Sequence, residues 1–583
     1  MVFDKNIESL KQYKHAHGWD TVGGRDAGDH IKSDFRAYER TDKISLLSNI
    51  MDREFLVKID NETLLFDNLP NKKIPIYLYF SRENFDFFLH NHDISPLLVK
   101  ERIVFLVGQD TLESYFEDMQ TLLPQEVFGY DHTNIQSIMD KIAAGRQEKL
   151  REIIQEVNDF YKANEDTIHK NIVSGNPKIL LIKYRFSYAV KNHIRDCNDA
   201  LRGLGYDTFV SEEKSDISRI YRIIDINEYK PDIIIDVNYF RYTYSYQMPP
   251  GIVYVTWIQD FMPHTLDAGL TAKLGRNDYV MNHYISDKRF AEAGYSQDRM
   301  MDAPVCANPR LYKTYHMSSE EKQAYQADLC MVCQQADIEG FIENKMNALL
   351  ENTSDRDAVR QFLSAYCEDF KQNEKIDRKK SVFLNRMIEY LKQRKQCSIP
   401  IEALEHFVNQ IFVGFHERLY RQALADWIIE AGYTNIKLWG AEWAGLDKYR
   451  PYAMGQAENG EILSKILQSS KIVIGNNFFS SALARAWESM LSGAFYMSNY
   501  VSEDEDLVDI RKVMKEDREI IIFHGKSDFL YKVNFYLSHE EERRRMIEIG
   551  RKKALATMTF DAMMKKVMDF IVKDQKGYID GQL

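Results

Sequence analysis

Cysteine is scarce: the 583 residues hold six, Cys197, Cys306, Cys330, Cys333, Cys367 and Cys397. No disulfide framework can be built on so few, and the thiols are expected reduced. One pair, "CMVC" at 330–333, has CxxC spacing. It lies in an apolar strand-like run without a second pair or nearby histidines, so it is assigned to buried structural thiols. No apolar run reaches the length that spans a bilayer. The polar opening "MVFDKNIESLKQYKHAHGWD" lacks the pattern of a secretory leader, and the chain is expected to be cytoplasmic. Positive charge is not in excess either. A formal net charge of -12 argues against wrapping nucleic acid or lying on anionic lipid. There is no internal repeat, no low-complexity tract and no G-x-G-x-x-G after a strand, which removes the main support for a dehydrogenase-type nucleotide fold.

What is abundant is core. Hydrophobic content of 44% and aromatic content of 12% supply two or three domains. Residues 1–170 show a charged, helical opening, strand candidates at 74–80 and 101–108, and a helical pattern over 135–164. From 178 the rhythm becomes regular strand–helix alternation: "KILLIKY", "YDTFVS", "KPDIIIDVN", "GIVYVTWIQD", "DYVMNHYIS" and "RMMDAPV". A connector at 308–321 leads to a second alternating set. It begins with "ADLCMVCQQ", is interrupted by a charged helical insertion at about 340–427, and resumes with "NIKLWG", "KIVIGNN", "AFYMSN" and "REIIIFHG". Continuous apolar strands alternating with helices predict parallel sheets covered on both faces. The expected organisation is an N-terminal accessory α/β and helical region (1–170), then two doubly wound α/β domains (171–325 and 326–583) facing a cleft. Ligands belong at the carboxyl ends of the strands.

Those strand ends supply the candidates. Tyr184, Arg185, Ser187 and Tyr188 suit sugar or acceptor contacts, and equally an ordinary loop. Asp260 and His264 leave the strand that starts at Gly251, where a general base belongs; the alternatives are a helix cap and a surface histidine. Asp236 is a weaker candidate of the same kind. Gly440 ends "KLWG" and suits close approach of backbone to a flat ligand such as a nucleobase. "GNNFFSSALAR" then brings Asn476, Asn477 and Ser481 to a helix N-terminus suited to a diphosphate. Arg485 lies one turn inside for phosphate. Glu488, further along, suits ribose hydroxyls. The same Arg485–Glu488 spacing also describes an exposed i,i+3 ion pair. Leu483, Ala486, Trp487 and Met490 form the core stripe, and Gly493 the left-handed cap. Asp504 and Asp506 have D-x-D spacing but no third ligand, and are read as a solvated acidic turn.

These stretches resemble bacterial glycosyltransferases of the two-domain GT-B fold, group-1 type, in particular the CgeB-like (spore-maturation) branch. The resemblance covers about 178–573. Arg485, Glu488 and Gly493 fit an R-x-x-E-x-x-x-x-G pattern that faces the nucleotide in that family. Leu537, Ser538, His539, Glu541, Glu542 and Arg543 fit a second pattern, which reads as structural. The resemblance implies transfer of a sugar from a nucleotide-diphosphate donor, UDP-linked in the simplest case, to a hydroxyl of an acceptor protein or glycan. It implies no bound metal, since helix dipole and basic side chains stabilise the leaving diphosphate. Many retaining members carry a glutamate eight positions before the ribose-binding one. Here that position is Ser480, which leaves retention or inversion open; inversion assigns the acceptor proton to a base such as Asp260. Residues 1–170 match no part of the family core and are assigned to acceptor positioning or to a homo-oligomer contact. A nucleotide-sugar 2-epimerase and a non-catalytic binding partner are the competing readings.

Overall fold

The computed structural model describes residues 45–49, 75–98, 103–119, 121–129, 131–184, 187–213, 221–243, 248–284, 288–334, 336–350, 353–372, 378–393, 399–503 and 505–579. The charged opening, Arg185, Cys397 and Asp504 lie outside them, as does the side chain of Tyr188.

Three sheets follow one another, and every strand pair in them is parallel. The first contains β1 (Ser45–Ser48), β2 (Ile76–Phe80), β3 (Ile103–Val107) and β4 (Glu126–Gly129), in the order β3-β2-β1-β4. The N-terminal region is thus a small Rossmann-like unit of its own. Its strands are only four or five residues long, which is why the sequence shows only part of it.

The second sheet holds β5 (Lys178–Lys183), β6 (Asp207–Glu212), β7 (Ile233–Val237), β8 (Val253–Ile258), β9 (Asp278–Asn282) and β10 (Met300–Asp302). The third holds β11 (Ala327–Val332), β12 (Ile436–Trp439), β13 (Ser470–Ile474), β14 (Tyr496–Asn499) and β15 (Ile521–Phe523). Their orders are β6-β5-β7-β8-β9-β10 and β12-β11-β13-β14-β15. The order reverses between β5 and β7 in one and between β11 and β13 in the other, so each sheet has a switch point. The doubly wound α/β class expected from the apolar strands is the class observed. Residues 179–182 and 233–235 are fully buried, as strands covered on both faces require, and each such isoleucine or leucine contributes about 1.5–3 kcal/mol.

Two helices tie the units together. Helix His132–Ala163, 32 residues, is about 48 Å long and runs from the first sheet to the second. There Tyr161 donates to the Pro231 carbonyl (2.7 Å) and Asn227 to Glu156 (2.9 Å). The last helix, Phe560–Ile579, follows the third sheet in sequence but lies against the second unit. Met558 and Phe560 exchange backbone hydrogen bonds with Ala307 (both 3.1 Å), and Asp574 pairs with Arg276 and with Arg299 (3.1 Å). No helix among the described residues is long and apolar enough to cross a membrane.

Among the described residues, the insertion between β11 and β12 contains the helices Ile338–Leu349, Thr353–Gln372, Lys380–Gln393 and Ile401–Glu430. Its aromatic core is continuous with one face of the third sheet. The CxxC thiols are both buried, in and just after β11.

Candidate active site at the seam between the two large units

Each switch point launches a helix with a polar pair three residues apart. After β5, helix Tyr188–Gly203 carries His193 and Asp196. After β13, helix Ala484–Leu491 carries Arg485 and Glu488. The connector supplies Tyr312 and Asn308. Across the seam, Arg195 donates to Asn459 (3.2 Å), whose amide donates to the Tyr312 hydroxyl (2.9 Å). Asp196 accepts from Arg195 (2.9 Å) and Asn308 (3.0 Å).

The Arg485–Glu488 pair is no surface ornament. The glutamate side chain is 10% exposed and the arginine 26%. Burial opposes the guanidinium charge, but Glu488 and the neighbouring groups outweigh it and raise the pKa. Their nearest atoms, Nη1 and Oε2, pair at 2.7 Å, and Glu488 also interacts with the Tyr312 hydroxyl. Gln259 Nε2, just past β8, is buried and unpartnered, a state native interiors leave few polar atoms in. Gln259 and Glu488 come from the two units and both act on one residue.

His193 links them. Its Nδ1 bonds Gln259 Oε1 at 2.8 Å, which makes Nδ1 the protonated nitrogen and leaves Nε2 an acceptor. Burial holds the imidazole below its ordinary pKa, against the opposing pull of Gln259, Glu488 and Asp260. It is therefore a neutral base at neutral pH. Val190, Ile194, Cys197 and Leu201 mark the buried stripe of its helix. A histidine and a carboxylate at the border of that stripe were the signal available in the sequence.

The other predicted residues also bond within the chain. Asp260 accepts from Asn238 Nδ2 (2.9 Å), its own N–H donates to Asn238 Oδ1 (3.1 Å), and it acts on His193 through charge. His264 Nε2 bonds the Asn238 carbonyl (2.6 Å). Asp236 is buried, accepting from Tyr184 (2.8 Å) and Tyr254 (2.7 Å). Asn476 donates to the Val332 carbonyl (3.2 Å), and the Asn477 carbonyl accepts from Asn499 (2.7 Å).

The helix starts at Ala484, three residues later than Ser481, because Asp506 holds the preceding turn. Its carboxylate accepts from the Ser481 backbone (3.0 Å), the Ser481 hydroxyl and the Val508 backbone (3.1 Å). Asp506 is thus half-buried and bonded to the Ser481 turn, not part of a solvated acidic turn. Burial, foremost, pushes its pKa up to about 6. The folded chain then takes up this proton before the unfolded chain does. The stability it contributes is full below pH 4 and lost as pH rises through 6. Asp506→Asn is expected to flatten that segment of the stability–pH curve, by about 1.4 kcal/mol per pH unit at its steepest, measured by denaturant unfolding at pH 4.5, 5.5 and 6.5.

Gly440 has φ +143°, and a Cβ there would lie 1.7 Å from the Cys333 carbonyl. The close approach is thus made by the neighbouring strand end. Gly440→Ala is expected to cost about 3 kcal/mol or more, read as a fall in the thermal unfolding midpoint.

Capping decides which helix start at this edge is open. That of Ile338–Leu349 is filled by Asp337 and by Glu442, which accepts from Ala336 (2.6 Å) and Asp337 (2.7 Å). That of Gly525–Ser538 has Asp528 on the His524 N–H (2.8 Å). The start of Ala484–Leu491, at Leu483, has no side-chain cap. Its first amides and Arg485 form a positive seat beside Glu488. The Gly493 cap closes the helix at φ +78°. A groove of about 480 Å³ (Gln109 to Lys149) belongs to the first unit, and one of about 590 Å³ (Thr314 with Arg551) lies at the Gly493 end of the same helix, opposite its open start.

Residues 417–569 match the family model described as Glycosyl transferase-like. No curated protein matches the sequence. Among solved structures, a sucrose-phosphate synthase from Thermosynechococcus elongatus is similar at 9% identity and TM-score 0.39, covering 68% of this chain and 98% of its own. An alpha-glucosyltransferase in complex with UDP aligns at 12% identity and TM-score 0.36, covering 68% of this chain and 100% of its own. The T4 phage beta-glucosyltransferase aligns at 11% and 0.31, covering 69% and 98%. Likenesses this distant fix no function.

Proposed function

We propose that this chain, with its glycosyl transferase-like C-terminal stretch, moves a sugar from a nucleotide-diphosphate donor to an acceptor hydroxyl on a glycan or protein. The reading rests on one observation above the rest: the buried Arg485–Glu488 ion pair (2.7 Å) stands beside an uncapped helix start at the seam, with Gln259 Nε2 unpartnered. The first amides of Ala484–Leu491 and the Arg485 guanidinium take the diphosphate and stabilise the charge that grows on it as the glycosidic bond breaks. No metal is required for that role. Glu488 accepts the ribose hydroxyls. The acceptor approaches from the second-sheet unit, where His193 Nε2 takes the hydroxyl proton if configuration inverts. Asp260 favours the resulting imidazolium.

Incubation with UDP-, GDP-, ADP- and dTDP-sugars, with and without candidate glycans, tests this. Nucleoside diphosphate released in step with glycosylated acceptor is the expected result. An epimerised donor without acceptor turnover would establish the 2-epimerase instead. Donor binding without turnover of any kind would leave a binding partner.

A further inference from the structure

The helical insertion reaches past the sheet edge and grips the loop that precedes Ala484–Leu491. Glu417, on helix Ile401–Glu430, accepts from the backbone N–H of Phe478 (3.0 Å) and Phe479 (3.5 Å). Its second oxygen pairs with Arg421 (3.1 Å), in a buried setting that raises the carboxyl pKa. Arg378, between two insertion helices, donates to the Phe478 carbonyl (2.7 Å) and the Tyr500 carbonyl (3.1 Å). Its guanidinium also covers the Phe478 ring at 4.8 Å. His416 stacks on Phe478 (5.1 Å, 23°), and Phe412 contacts Phe479 (5.5 Å). A loop of this kind has no ladder to fix it. Here both backbone groups of Phe478 are held by the insertion, and Ser481 is held by Asp506 from the opposite side.

Five residues separate Phe479 from Arg485, so the grip sets where the open helix start and the Arg485–Glu488 pair stand. We propose that Glu417 and Arg378 are positioning residues for the nucleotide diphosphate, and that the insertion exists at this edge to hold the donor loop in register. This rests on the donor reading above. Both residues act through the loop, and neither touches the reacting atoms.

The test uses the full chain and three variants: Glu417→Gln, Arg378→Lys and Arg386→Ala. Arg386 pairs with Asp369 and covers the Tyr366 ring (4.9 Å) without touching the loop, so it reports general softening of the insertion. Amide hydrogen exchange without ligand, and titration with UDP, GDP, ADP and dTDP by thermal shift, are measured on each. Glu417→Gln and Arg378→Lys are expected to speed exchange of residues 477–486 at least tenfold. They should weaken half-saturation by the best nucleoside diphosphate at least tenfold while unfolding stays cooperative. Arg386→Ala should change neither. Tight binding by the parent and equal binding by Glu417→Gln would overturn the positioning role alone. Equal weakening in Arg386→Ala would overturn it too, since general softening would then suffice. Absence of any shift in the parent would overturn the donor reading, and the positioning role with it.

Discussion

Arg485→Leu is expected to lose about 3 kcal/mol of stability, and Arg485→Leu with Glu488→Leu to recover most of it without recovering nucleotide affinity. The single change leaves Glu488 buried beside Tyr312 with no cation, and breaking a buried pair costs about 3–5 kcal/mol. The lower end applies because the Arg485 side chain keeps about a quarter of its surface. The double change removes both charges, and apolar replacements of a buried pair are often neutral. Affinity for nucleoside diphosphate should fall at least about 100-fold in both variants, the scale of losing charge-assisted hydrogen bonds. An ordinary surface ion pair predicts about 0.3–0.5 kcal/mol and no change in affinity. Chemical unfolding and isothermal titration separate the two.

His193→Ala is expected to lower kcat by about 10²–10⁴-fold, the range of a general base, with donor KM little changed. Burial holds the His193 pKa below 6.5. The wild-type rate should therefore stay level from pH 8 down to 6.5 and fall only below it, as the imidazole gains its proton. Asp260→Asn removes one of the carboxylates that oppose this and should push the fall to still lower pH. A rate that drops less than tenfold in His193→Ala would contradict the assignment of the base to His193.

Much of this was legible because it was written in short-range pattern. The apolar strands after 178, the core stripe of Ala486, Trp487 and Met490, and Gly493 as cap all depend on local periodicity and backbone conformation. Arg485 and Glu488 are read as candidates the same way, from a helix that follows a strand. What escaped depended on contacts distant in sequence. Asp506 caps Ser481 from 25 positions away, and Glu417 reaches Phe478 from 61. The demand on Gly440 comes from Cys333, over a hundred residues earlier. His193 is intermediate: its helix was evident, but its neighbours Gln259 and Glu488 converge only through the fold. The N-terminal sheet escaped in part because a four-residue strand such as β1 carries too little pattern to announce itself.

The central claim, that a nucleotide diphosphate completes the seam at Arg485 and Glu488, is tested most directly by thermal unfolding with UDP, GDP, ADP and dTDP at saturating concentration. The account predicts that at least one raises the midpoint of the wild-type chain, by the equivalent of about 2.7 kcal/mol at a hundred times its Kd, and that none raises that of the Arg485→Leu, Glu488→Leu double variant. A midpoint that no nucleoside diphosphate moves, or one that moves equally in the double variant, would contradict it.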